Sequence, residues 1–222
     1  MSGEILVVRR GIVPYAEALE LQRELAARRQ REEIGDVLLL LQHPPVYTRG
    51  RRSKPEELPM GAAWYEAQGI EVLATDRGGL VTYHGPGQLV AYPIVQLRGY
   101  GDDVHEYVRG LERTMVAALA EHGVRAGPIE GLTGVWVGTR KIGSIGLHVS
   151  RGVTTHGLAV NVNNDLQPFE WVVPCGIEGV SMTSLTRELG AKQNLAAFAA
   201  TLVDSYARVF EREVVVDDSV AA

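Results

Sequence analysis

The sequence predicts an α+β fold, a single domain over residues 1–222 with a mixed β-sheet flanked by helices. Two observations carry this. Segments 14–33, 103–122 and 194–210 have helical periodicity, whereas 4–10, 36–42, 89–97 and 133–162 read as strands. The two kinds are interleaved without strict strand–helix–strand alternation, which argues against a purely parallel sheet. No internal repeat or low-complexity linker divides the chain.

Taken in order, EILVVRR (4–10) is a short strand, and Pro14 opens a helix running to about Glu33. Tyr15, Ala18, Leu19, Gln22, Leu25 and Ala26 share one face of that helix. DVLLLLQ (36–42) is continuously apolar, as a strand buried on both faces should be. His43, Pro44 and Pro45 end it, because proline removes a ladder donor. A short helix near 61–68 and a strand at 70–74 follow, then glycine-rich turns over 77–88 and a strand at 89–97. The clearest helix is 103–122: Val104, Tyr107, Val108, Leu111, Met115, Ala118 and Leu119 form its apolar stripe, and Gly123 ends it. Residues 133–162 alternate, with many glycines, and suggest two or three antiparallel strands; EVVV (213–216) closes as an edge strand.

Composition narrows the class. The 222 residues are 45% hydrophobic and 22% charged, which excludes a disordered tail, a collagen or a coiled coil. The longest strongly apolar run, Val37 to Leu41, is far short of the ~18 residues of a membrane span, and MSGEILVVRRG lacks a signal-peptide core. A cytoplasmic protein away from the membrane is expected. A net charge of −5 argues against general nucleic-acid binding. There is one cysteine, Cys175, so neither an intrachain disulfide nor a thiolate-rich zinc site is available. Only three of the 22 basic side chains are lysines: Lys54, Lys141 and Lys192.

Four stretches concentrate chemistry. RGGLVTYHGPGQ (77–88) sets Arg77, Thr82, Tyr83, His84 and Gln88 among glycines, as a ligand-facing loop would; the alternative is a pair of tight turns in a hairpin. It matches neither phosphate-loop nor dinucleotide fingerprints. In 138–165, Lys141 sits among small residues that let a backbone or a ligand lie flat. Extended geometry would put Lys141, Gly143 and Ile145 on one face and Arg140, Ile142 and Ser144 on the other. His148 and His156 lack a carboxylate or cysteine at ligand spacing, so no metal is expected; their roles, and that of His43, stay open. In VVPCGIEG (172–179), Cys175 between proline and glycine is a rigidly presented thiol, or else an inert half-buried one. HPPVYTRGRRSKPEEL (43–58) reads as a loop holding Arg49, Arg51, Arg52 and Lys54, either a solvated charge run or a docking patch for an acidic partner.

Three of these stretches, RGGLVTYHGPGQLVAYPI, GTRKIGSIGLHVSRGVTTHGLAVNVNNDL and VPCGI, resemble in content, order and spacing the lipoyl(octanoyl) transferases, which are octanoyl-[acyl-carrier-protein]–protein N-octanoyltransferases. HPPVYTRGRR resembles the same family, and the likeness runs from about residue 36 to 190. The resemblance implies the catalytic-domain fold of biotin and lipoate protein ligases. It implies an octanoyl donor carried on the phosphopantetheine arm of acyl carrier protein, with no ATP and no metal. Acceptors would be lysines on lipoyl domains of 2-oxoacid dehydrogenase E2 subunits and on the glycine-cleavage H protein. By this likeness Cys175 takes the acyl group as a thioester and Lys141 lowers its pKa and relays protons. Substrate-binding positions carry over onto Arg77, Gly78, Gly79, Leu80, Val81, Thr82, Tyr83 and His84, onto Ser144, Ile145 and Gly146, and onto Gly157, Leu158 and Ala159, their glycines expected to line a narrow slot for the acyl chain. Arg49, Arg51, Arg52 and Lys54 would suit an acidic carrier. An ATP-dependent lipoate or biotin ligase of the same fold, or a non-catalytic carrier-binding scaffold, are the alternatives.

Overall fold

The computed structural model describes residues 3–172 and 180–221. Cys175 lies outside the described residues. Strands β1 (Gly3–Ile12), β2 (Asp36–Gln42), β6 (Gln88–Ile94), β7 (Gly127–Ile129), β8 (Leu132–Val137), β9 (Arg140–Ser150), β10 (Val153–Asn161) and β11 (Arg212–Val216) form one sheet in the order β11-β1-β2-β6-β10-β9-β8-β7. β11, β1 and β2 run parallel and the rest antiparallel, so the sheet is mixed as the sequence predicts. β8, β9 and β10 form the antiparallel meander expected of 133–162, and β11 is an edge strand.

β2 explains how the core divides. Alternation along a strand sends successive side chains to opposite faces. Leu38 and Leu40 pack with Ile5, Leu111, Met115 and Phe198 on the side of helices α3 (Val104–Glu121) and α5 (Leu195–Phe210). Val37, Leu39 and Leu41 pack with Ala18 and Leu25 of helix α1 (Tyr15–Gln30) on the other side. A helix on each face is why this run tolerates no polar residue. Asp103 caps α3, accepting from the N–H groups of His105 and Glu106, and Asn194 caps α5 through the N–H of Ala197. Two short helices, α2 (Ala62–Ala67) and α4 (Leu185–Leu189), lie between the long ones in sequence.

The sequence does not announce a second sheet. β3 (Val46–Arg49), β4 (Glu71–Ala74) and β5 (Val81–His84) form three strands in the order β4-β3-β5. Two expectations are corrected here. Segment 43–58 is not one loop, because Val46–Arg49 is a strand and Arg49 belongs to it; segment 77–88 is not a string of turns, because Val81–His84 pairs antiparallel with β3. Both strands are largely buried, but flanking prolines, glycines and charges mask that signal. An aromatic cluster fills this layer: Tyr47, Tyr65, Tyr83 and Phe169, joined by Val172 and Met182.

A third correction concerns β9. Lys141 pairs with Trp136 and Gly143 with Val135, leaving Ile142 as the extra residue of a bulge. Strict alternation is interrupted there, so residues 140–145 do not divide into the two expected faces. Ile142 is fully buried in the α3-side core, and Gly143 also abuts Met115 of that core.

Candidate active site

Between the two sheets lies a groove of about 470 Å³. Its walls are the 77–84 segment, β9 and β10, together with the start of α3 and β8. From the first come Arg77, Gly78, Gly79, Leu80, Val81, Thr82 and His84; from β9 come Lys141, Ser144, Ile145 and Gly146; from β10 come Gly157, Leu158 and Ala159. Two stretches far apart in sequence, the 77–84 segment and the β9–β10 hairpin, thus meet at one cavity. Tyr83 does not line it: its ring packs against Tyr47 and Phe169 at centroid distances of 5.5 and 5.4 Å. Arg52 reaches the groove, and the loop that carries it is well exposed at Arg51 and Arg52. The main-chain N–H groups of Arg51 and Arg52 donate to the carbonyls of Arg77 and Gly79, which puts this basic loop on the groove's rim.

Arg77 is buried, and its guanidinium is woven into the wall. It donates to the Thr48 carbonyl (2.6 Å), the Leu80 carbonyl (2.7 Å) and the Gly78 carbonyl (2.9 Å), and to Thr48 Oγ1. Gly78, Gly79, Gly146 and Gly157 line the groove, and two of them are also pressed by neighbouring backbone. A Cβ at Gly146 would stand 2.9 Å from the Gly78 carbonyl oxygen, and one at Gly157 would run into the Ala91 carbonyl oxygen. Backbone thus approaches both closely, as small residues allow.

Lys141 is 6% exposed. Its N–H donates to the Ser181 carbonyl and its carbonyl accepts from the Thr183 N–H, both at 2.9 Å, and it bridges Met182 in parallel. Its Nζ stands 5.2 Å from the centre of the Trp136 ring. The chain just beyond 173–179 is therefore stitched to the strand that carries this lysine. Val172, on the other side of that segment, packs in the same aromatic cluster as Met182. Asn161 Nδ2 donates to the Thr183 carbonyl (3.0 Å), and Gln88 Nε2 donates to Asn161 Oδ1 (2.9 Å). His84 Nδ1 donates to Gln88 Oε1 at 2.7 Å, which extends the chain of bonds back to the groove wall.

The far end of the groove is polar, and sequence reasoning missed most of it. Tyr15, Tyr92 and His156 line it. Burial holds His156 below the usual histidine range, so its neutral ring donates from Nε2 to Asp76 Oδ1 (2.7 Å) and accepts at Nδ1 from the Tyr15 hydroxyl (3.2 Å). That hydroxyl stays protonated because burial pushes it up to about 12. Burial lowers His43 to about 4; it donates from Nδ1 to the Val13 carbonyl and accepts at Nε2 from Tyr92, both at 2.7 Å. His148 Nε2 lies 3.7 Å from Asp76 Oδ2. These partners come from α1, from three strands and from the loops between elements, so no local pattern announces them. Among the described residues no three His, Cys, Asp or Glu side chains converge as a metal site, and no helix is long and apolar enough to cross a membrane.

Residues 14–207 match the lipoyl protein ligase A/B catalytic domain. The chain belongs to that family. Within the family, it is 50% identical to an octanoyltransferase of Chloroflexus aurantiacus over 91% of this chain and 92% of the relative. It is 47% identical to an octanoyltransferase of Solibacter usitatus over 96% of each. At this likeness the chain is an acyltransferase enzyme. The fold is shared more widely. A bipartite lipoate protein ligase of Thermoplasma acidophilum superposes with a TM-score of 0.73 at 18% identity, over 98% of this chain and 87% of that one. A biotin protein ligase of Aquifex aeolicus gives 0.53 at 13% identity over 94% and 70%.

Proposed function

We propose that this enzyme moves an octanoyl group from acyl carrier protein to a specific lysine of a lipoyl domain, through a thioester on Cys175. The reading is supported by the identity to octanoyltransferases and by one observation above all. Lys141 is buried in the groove wall and its main chain is bonded to Ser181 and Thr183, a few residues beyond Cys175 in sequence.

In the first step the Cys175 thiolate attacks the thioester carbonyl. A new C–S bond forms, the bond to the carrier's sulfur breaks, and that sulfur leaves with a proton. In the second, the acceptor's ε-amine attacks, an amide C–N bond forms, and the Cys175 sulfur is released. Exchange between two thioesters is near-balanced and amide formation is downhill, so neither step needs ATP. Lys141 favours the thiolate as an ammonium and can relay the proton to each leaving sulfur. The groove holds the eight-carbon chain. The cations Arg51, Arg52 and Lys54 on its rim, with Arg49 in the adjoining strand, receive an acidic carrier. Acceptors are lipoyl domains of 2-oxoacid dehydrogenase E2 subunits and the glycine-cleavage H protein; the Thermoplasma acidophilum ligase likewise has its own E2 lipoyl domain. The proposed setting is the cytoplasm.

Intact mass after incubation with octanoyl-carrier protein tests the scheme. A gain of one octanoyl group, absent from Cys175→Ala, supports it. An unmodified enzyme that still loads lipoyl domains sinks it. Loading that requires ATP and survives Cys175→Ser would make the protein a ligase, and no loading at all would favour a scaffold.

A further inference from the structure

Lys141 does not stand alone in its wall. The bulge on β9 pairs it directly with Trp136 on β8, so the two side chains are cross-strand neighbours. Trp136 is 3% exposed, and its indole N–H has no acceptor among the described residues. A buried donor without an acceptor is unfavourable, and phenylalanine or leucine would fill the space without that cost. What the indole offers instead is its π face, the best of the aromatic faces for a cation. Lys141 Nζ lies 5.2 Å from the ring centre.

Gly134 stands two residues earlier on the same face of β8. Its φ is +121°, and a Cβ there would come within 2.6 Å of Lys141 Cε and 2.5 Å of the Gly143 carbonyl oxygen. Any side chain at 134 would occupy the path of the lysine stem. The N–H of Gly134 donates at 2.8 Å to Glu112 Oε1, a carboxylate buried on α3. That bond holds this stretch of β8 against the helix.

We propose that Trp136 and Gly134 are positioning residues that form a cradle for Lys141, Gly134 leaving room for its stem and Trp136 holding its head as a charged ammonium aimed at the groove. The inference rests on reading Lys141 as the partner of the Cys175 thiol. Its effect is to keep that thiol ionised.

Cys175 is the only thiol in the sequence, so its alkylation rate against pH reads its ionisation directly. We expect Lys141→Ala to raise the pH of half-ionisation by about 1–2 units. Trp136→Leu should raise it by roughly half to one unit, and Trp136→Phe should restore most of the difference. In the double variant, Trp136→Leu should add nothing to Lys141→Ala, because the two act through one interaction. If Lys141→Ala shifts the titration while Trp136→Leu leaves it at the wild-type value, the cradle is wrong although the lysine–thiol reading stands. If Trp136→Leu shifts it equally with and without Lys141, the tryptophan acts through general structure and the proposal also fails. If Lys141→Ala leaves the titration unmoved, the lysine–thiol reading falls and takes the cradle with it.

Discussion

Gly146 on β9 and Gly78 in the loop above it are in backbone contact: a methyl group on Gly146 would sit 2.9 Å from the Gly78 carbonyl oxygen and 3.3 Å from Arg77 Cδ. The loop is also bonded to this strand, the Gly78 N–H donating to the Leu147 carbonyl at 2.8 Å. Gly146→Ala must therefore push residues 77–78 off the sheet. Overpacking of this kind costs about 1–3 kcal/mol of stability. Because the loop is a groove wall, kcat/KM for the acyl donor should fall roughly 10- to 100-fold. Thermal unfolding and steady-state kinetics of the one variant check both.

Lys141→Ala should slow acylation of Cys175 most strongly near neutral pH and recover part of the rate at high pH, where the thiol ionises unaided. Single-turnover acylation across the pH range is the measurement. A rate equally low at every pH would make Lys141 an obligatory proton carrier instead.

Stability should fall in mild acid. His43, His84 and His156 are 0%, 6% and 1% exposed, and burial lowers all three below the ordinary histidine value. Their folded forms resist protonation while the unfolded chain takes up protons near pH 6.5, so the unfolded state binds more protons and stability drops as pH falls below that point. Up to three protons are involved, so unfolding free energy should drop by roughly 3–6 kcal/mol between pH 7 and 5. Urea unfolding at the two pH values tests this, and His43→Gln should flatten the dependence. Asp76, kept below the usual carboxylate range by the His156 hydrogen bond against the opposing effect of burial, adds a further loss only as pH falls through its own lowered value.

Charge reversal on the rim, in Arg51→Glu with Lys54→Glu, should cut kcat/KM for octanoyl-carrier protein about tenfold or more at low salt, and less at high salt. Both side chains are exposed, so folding should be unaffected. A small pantetheine thioester should react at close to the wild-type rate. An equal loss with the small donor would move these residues from docking to the groove itself.

Much of this architecture is legible in local patterns. The α3 stripe, the doubly buried β2 and the β8–β10 meander each announce themselves within a short window, because periodicity and burial agree there. The small sheet does not. β3 must find β5 across more than thirty residues, and its own sequence, VYTR, stands between prolines and arginines. The Lys141 wall is readable through resemblance, but its neighbours Trp136 and Gly134 come into view only with the bulge that pairs β8 to β9 out of step. His156 is a similar case: its φ of +57° inside a strand and its bonds to Tyr15 and Asp76 depend on three distant elements.

The aromatic layer under the small sheet has an optical consequence. Of the three tryptophans, Trp64 and Trp171 stack edge to face at 5.3 Å in that layer, whereas Trp136 stands in the large sheet beside Lys141. Intrinsic fluorescence therefore carries two reporters in one chain. A Trp136→Phe protein emits from the small-sheet layer alone, and a protein with Trp64 and Trp171 replaced by Phe emits from the groove wall alone. Comparing their unfolding curves reveals whether the two sheets melt together or one after the other.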